Sequence, residues 1–87
     1  MSGEIYEQKW FVYIARCSDG ALYVGIARDV DRRIKEHNTT DKCRYTRFRK
    51  PLELIYREEC QDYRSARARE LEIKRFSQKK KLELAVK

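Results

Sequence analysis

Two short aromatic segments, Val12-Tyr13-Ile14 and Tyr23-Val24-Gly25, flank the turn sequence Cys17-Ser18-Asp19-Gly20. Strand formers on both sides of an Asp-Gly signal predict a β-hairpin. This hairpin is unusual for a purely structural one. Its tyrosines place hydroxyls where an all-apolar face would be simpler. Its glycine, Gly25, weakens a strand and marks close approach by a ligand or another backbone.

The turn decides whether the tyrosines meet. A two-residue Asp19-Gly20 turn pairs Arg16 with Tyr23 and puts Tyr13 and Tyr23 on opposite faces. A three-residue loop, Ser18-Asp19-Gly20 with Gly20 left-handed, pairs Ala15 with Tyr23 and Tyr13 with Gly25. Tyr13, Tyr23 and Gly25 then share one face. Gly20 suits both loops, so the sequence leaves the choice open. A functional site needs the second.

The hairpin strands run over about Trp10–Arg16 and Ala21–Ala27. Asp29 is a good N-cap for a helix reaching about Asn38. Val30, Ile34 and His37 share its inward face, and Arg33 and His37, four apart, lie together on the helix. Residues 39–50 form a polar, basic loop. Pro51 precedes a third strand, Leu52-Glu53-Leu54-Ile55-Tyr56. A second helix starts near Asp62 and runs to about Phe76, with Ala66, Glu70 and Ile73 on one stripe. A short third helix covers Ser77 to Val86. Trp10, Val12, Ile14, Leu54 and Ile73 are the expected core. The order is β-β-α-β-α-α: an α+β fold, with a small, at least partly antiparallel sheet and helices packed on it.

The chain has 87 residues, enough for one domain with a modest core. Its 21 Lys and Arg outnumber 14 Asp and Glu, a formal net charge of +7. That favours a polyanionic partner, nucleic acid first and an anionic membrane surface second. The cysteines, Cys17, Cys43 and Cys60, form no C-x-x-C pair, and His37 is the single histidine. The usual zinc spacing is missing, and free thiols in a reducing compartment are the plain reading. The sharper alternative is a catalytic cysteine partnered by His37. No apolar run approaches a membrane span and no signal-peptide core is present, which points to the cytoplasm and to no membrane partner.

Phosphodiester hydrolysis requires a water to be oriented and deprotonated, equatorial oxygens to be neutralised and a leaving oxygen to be assisted. Arginine suits the second task, because its fork matches phosphate and stays charged. A hard divalent cation on a carboxylate and waters suits the others, and histidine or a polarised tyrosine can shuttle a proton. The candidates are Tyr13, Tyr23, Arg33, His37 and Glu70, expected around one cleft on one face of the sheet. Glu70 lies on an inward stripe, where a carboxylate must be paired or bind metal. The alternative is a salt bridge to a neighbouring Arg or Lys.

In this order and spacing the residues resemble the GIY-YIG nuclease domain, and more narrowly its small single-domain bacterial members, from about Trp10 to Leu84. Phe11-Val12-Tyr13 and Tyr23-Val24-Gly25 resemble the two motifs, although Phe11 stands where the first motif has glycine. The further pieces are Asp31 to Asn38, Tyr45-Thr46-Arg47 with Pro51, and Ala66 to Lys74. The resemblance implies a three-stranded antiparallel sheet flanked by helices, in a single domain spanning residues 1–87. It also implies metal-dependent endonuclease activity. Tyr13 and Tyr23 resemble the paired active-site tyrosines, one of which positions or deprotonates the water. Arg33 resembles the arginine that stabilises the transition state. His37 occupies the family's His or Tyr position. Glu70 resembles the direct protein ligand of a single Mg²⁺ or Mn²⁺, and Gly25 leaves space for the phosphate.

Around this centre, Lys42, Arg44, Tyr45 and Arg47 interleave an aromatic with bases, an arrangement that can hold phosphates while a ring stacks on a base. A solvated basic loop with Tyr45 packed down is the plainer reading. Asn38 and Lys74 complete the expected substrate-binding set. The expectation is an endonuclease acting on DNA before RNA, branched or single-stranded. The rival is a non-catalytic nucleic-acid-binding module with the same fold.

Overall fold

Strands β1 (Trp10–Arg16) and β2 (Leu22–Ala27) form an antiparallel hairpin in the computed structural model of the chain, which describes residues 9–86. The turn is the three-residue loop. The Cys17 N–H donates to the Ala21 carbonyl at 2.8 Å, and the Gly20 N–H to the Cys17 carbonyl at 2.9 Å. Gly20 has φ +88°, a left-handed backbone that glycine adopts without the steric penalty of a side chain. Tyr13 therefore faces Gly25 and Ala15 faces Tyr23 across the ladder, so both tyrosines and Gly25 project to one side.

Helix α1 (Val30–Thr39) follows, its first turn capped by Asp29, whose carboxylate accepts from the Arg32 N–H. Val30 and His37 are buried, and Ile34 is half-buried between them. Strand β3 (Glu53–Cys60) pairs antiparallel with the free side of β1, giving the order β2-β1-β3. It starts after Leu52 and continues through Arg57-Glu58-Glu59-Cys60, beyond the expected end at Tyr56. Those charged residues hide a strand from pattern reading. Their backbone partners on β1, down to Trp10 opposite Cys60, hold it nonetheless, and charges suit an exposed sheet edge.

Helices α2 (Tyr63–Lys74) and α3 (Gln78–Ala85) are capped by Asp62 and Ser77. Two cores result, one on each face of the sheet. Val12 and Ile14 pack with Val24, Cys60, Ala66 and Ile73 beneath α2, with Trp10, Phe76 and Leu84 at the margin. Tyr13 and Ala15 pack with Ala27, Val30 and Leu52 beneath α1, with Tyr23, Ile34 and Leu54 alongside. The central strand β1 is covered on both sides, which is why Val12, Ile14 and Ala15 are fully buried. No helix among the described residues is long and apolar enough to cross a membrane.

Candidate active site

The loop register and the seating of α1 bring three rings together. The centroids of Tyr13 and Tyr23 are 6.1 Å apart, and Tyr23 meets His37 edge-on at 5.0 Å. Gly25 is buried beneath them. A Cβ there would lie 2.7 Å from the Tyr13 hydroxyl oxygen and 3.0 Å from Cε2 of Tyr23, so the missing side chain is what lets the two rings occupy this face.

His37 is 2 % exposed, yet both ring nitrogens have partners. Nε2 lies 3.1 Å from the Tyr13 hydroxyl and Nδ1 lies 2.9 Å from Oγ1 of Thr46. Burial, and then the charge of Arg33, hold the imidazole below its ordinary pKa, with Glu36 opposing. His37 is therefore neutral at pH 7. Burial raises the Tyr13 hydroxyl well above the usual phenol range, the charge of Tyr23 adds to this, and the nearby Arg33 works against it. Burial, and then contact with Cys43, push Tyr23 up to about 12, Arg33 again opposing. Both tyrosines are protonated at neutral pH. Arg33 can only donate, which leaves the phenolic hydrogen free to point at Nε2; in that tautomer Nδ1–H donates to Thr46.

Arg33 is held on α1 by Glu36, with Nη1 3.0 Å from Oε1. It also lines an open depression of about 240 Å³ with Ala27, Arg28, Asp29, Arg32 and Glu36. One guanidinium thus borders both the tyrosine pair and a basic hollow, a suitable place to meet a phosphate.

Glu70 departs from the expected single-face arrangement. It is 6 % exposed and shares the inward stripe of Ala66 and Ile73. Yet α2 covers the sheet face opposite α1. Helical spacing identifies an inward residue but not which side of a sheet the helix covers. Among the described residues no hydrogen bond or ion pair joins Glu70 to Tyr13, Tyr23, Arg33 or His37. Its charge is nonetheless close enough to contribute to the raised pKa of Tyr23. The carboxylate is bridged along its own helix, from Arg67 Nη1 to Oε1 at 2.6 Å and from Lys74 Nζ to Oε2 at 3.1 Å. Each oxygen keeps a further lone pair.

The other expected contacts divide. The Asn38 amide is spent on main chain: its Oδ1 accepts from the Leu52 N–H at 2.7 Å and its Nδ2 donates to the Leu52 carbonyl at 3.1 Å. That double bond ties α1 to the start of β3. Lys74 is engaged with Glu70. Tyr45 packs against Tyr23 at a tilt of 37°, ring centroids 5.7 Å apart, and Arg49 lies over the Tyr45 ring, 4.5 Å from its centre. Lys42, Arg44 and Arg47 are exposed in the same loop.

Thr46, Cys43 and Glu36 join the site although none stood among the expected site residues; Thr46 was named only within the Tyr45-Thr46-Arg47 piece and Cys43 only among the thiols that His37 could partner. Thr46 is 1 % exposed in an otherwise polar loop. Burial alone would raise the Cys43 thiol, but contacts from Thr46, Tyr23 and the Tyr45 backbone outweigh it and hold the thiol below its ordinary pKa. A loop has no periodicity to reveal such residues. Glu36 was legible in principle, three residues from Arg33 on one helix.

The family model described as "GIY-YIG catalytic domain" matches residues 9–83. The chain is 52% identical over 73 residues to UPF0213 protein DP2720 of Desulfotalea psychrophila, a match covering 83% of this chain and 66% of that protein. It is 45% identical over 76 residues to UPF0213 protein SSP2268 of Staphylococcus saprophyticus, covering 87% and 93% of the two chains. Among solved structures, the solution NMR structure of UPF0213 protein BH0048 from Bacillus halodurans superposes with a TM-score of 0.55 at 39% identity, over 87% of this chain and 81% of that one.

Proposed function

This chain belongs to the GIY-YIG family, and from that premise we propose that it is a metal-dependent endonuclease acting on nucleic-acid phosphodiester bonds, on branched or single-stranded DNA before RNA. The observation that carries the reading is the buried Tyr13–His37 contact of 3.1 Å with a guanidinium beside it. A structural core has no need of a neutral histidine aimed at a protonated phenol. Proton transfer has that need.

On this reading a water approaches the Tyr13 oxygen. As the water's oxygen attacks phosphorus, the water gives its proton to the Tyr13 oxygen, while Tyr13 passes its own to Nε2 of His37. The raised pKa of Tyr13 makes a standing phenolate inaccessible at pH 7, so relay replaces prior ionisation. The tautomer this needs carries its hydrogen on Nδ1, where Thr46 Oγ1 lies 2.9 Å away to accept it. Arg33 neutralises the equatorial oxygens, and the bare Gly25 gives its space to the two tyrosine rings, not to the phosphate. Removing one such electrostatic contact costs about 10²–10³ in rate in other enzymes.

As a carboxylate, Glu70 is a hard oxygen donor of the kind Mg²⁺ or Mn²⁺ takes, and a cation there would compete with the Arg67 and Lys74 pairs that hold its two oxygens. Such ions take one or two carboxylates and complete their shell with waters and substrate phosphate. Among the described residues no group of three or more His, Cys, Asp or Glu gathers as a metal cage. When bound, the cation would polarise the phosphate and the leaving oxygen. Free thiols at Cys17, Cys43 and Cys60 suit a reducing compartment, so we place the protein in the cytoplasm.

The two ion pairs on Glu70 favour one other reading, a nucleic-acid-binding module without catalysis. Cleavage of labelled single-stranded, duplex, flapped and branched DNA and RNA, with Mg²⁺, Mn²⁺ or chelator, separates the two. Binding without cleavage under every condition selects the module.

A further inference from the structure

Phe48 is a phenylalanine with nowhere to pack. It is 85% exposed, more than Tyr45, Tyr63, Leu71 or Val86, the other large apolar residues exposed among the described residues. Its loop is not loose. The N–H groups of Thr46 and Arg47 donate to the Cys43 carbonyl, and the Arg49 N–H donates to Thr46. The Thr46 side chain at the centre of this turn is buried against Nδ1 of His37. The ring is therefore presented to solvent by a turn anchored in the catalytic cluster. Arg47 lies over it, 5.0 Å from the ring centre. In the same turn Tyr45 packs against Tyr23 and carries Arg49. Lys42 and Arg44 have no ion-pair partner among the described residues.

We propose that Phe48 is a stacking platform for an unpaired base, so that this site takes strands whose bases are free of a duplex. An aromatic ring set among arginines and lysines matches a nucleic-acid strand, which brings alternating π-faces and phosphates. Within a continuous duplex each base face is already covered by its neighbours, and Phe48 has nothing to stack on. A splayed or single-stranded segment offers a bare face while its phosphates meet Lys42, Arg44 and Arg47. The inference rests on the nuclease reading above and narrows its substrate class.

The test measures equilibrium binding without metal, for wild type, Phe48→Ala and Phe48→Trp, to a short unpaired oligonucleotide and to the matching duplex at one salt concentration. Loss of one base–aromatic stack weakens binding by about 5- to 150-fold. Phe48→Ala should show that loss on the single strand and leave duplex binding near wild type. Phe48→Trp should keep single-strand affinity, and its added indole emission should be quenched on binding. Phe48→Ala that binds the single strand as wild type does, or loses both substrates equally, overturns the platform while leaving the nuclease reading intact. Wild type that binds neither substrate overturns the nuclease reading and the platform together. Because the side chain is exposed, all three proteins should melt alike, and a shared melting temperature confirms that binding alone is being read.

Discussion

The hydroxyl of Tyr13 lies 3.1 Å from Nε2 of His37, with the two residues 1 % and 2 % exposed. One comes from the central strand and the other from the helix that covers it. Each polar group is the other's partner within this buried cluster. Tyr13→Phe keeps the ring and removes the hydroxyl. It should lower the single-turnover cleavage rate by about 10²–10⁴. It should also leave Nε2 without a buried partner, costing about 1–3 kcal/mol of stability. Chemical denaturation and single-turnover kinetics on the same sample measure both.

Gly25→Ala should damage the site through space and not through backbone strain. The new Cβ would meet Tyr13 at 2.7 Å and 2.8 Å, and both atoms belong to a ring end held by buried neighbours. Overpacking of this kind costs about 1–3 kcal/mol. The expected result is a lowered melting temperature together with lost cleavage. Because Gly25 lies beneath the rings, nucleic-acid binding through the basic loop should persist.

The pH profile follows from the two shifted groups. The folded pKa of His37 lies below its unfolded value of about 6.5. The native state thus binds fewer protons there. Stability and proton acceptance are full above about 6.5 and are lost as pH falls through the folded value. Tyr23 is raised to about 12, so its contribution is full below the unfolded value of about 10 and is lost as pH rises towards 12. Melting temperatures across this range should fall at both ends. In His37→Gln the acid limb attributable to the imidazole should disappear.

Binding should be electrostatic. A protein contacting several phosphates loses affinity linearly in log salt. Arg44→Ala should weaken all sequences alike and flatten that slope by about one unit. Salt titrations of wild type and variant check both statements.

How much of this was legible in the sequence varies by residue. Gly20 announced a turn, but whether it closed a two- or three-residue loop rested on backbone pairing that no residue encodes locally. The strand order depends on β3, whose charged second half follows no alternating pattern. Asp29 was legible as a cap because capping is local chemistry, and the starts expected near Asp62 and at Ser77 fell on the residues that cap the other two helices. The Arg33–His37 spacing put two functional groups on one face for the same reason. Thr46 was read only as part of a motif piece, since its role arises from tertiary contact with His37. Asn38 read as a ligand contact, and only the approach of Leu52 shows where its amide is spent. Glu70 was readable as inward, but its bridges to Arg67 and Lys74 and its place on the helix of the opposite face were not.

Glu70 is also where the central claim is most exposed. Its partners are about half exposed, so solvent screens the bridges and they contribute little, and Glu70→Ala should melt close to wild type. The decisive measurement is single-turnover cleavage of labelled single-stranded and branched DNA by wild type and Glu70→Ala. It is run across a Mg²⁺ or Mn²⁺ titration with a chelator control, and metal-free binding is measured in parallel. The account predicts metal-dependent cleavage by wild type, none by Glu70→Ala and near-equal binding by both. Full, metal-dependent activity in a Glu70→Ala protein with a lowered melting temperature would contradict it, since the carboxylate would then serve the fold and not the metal.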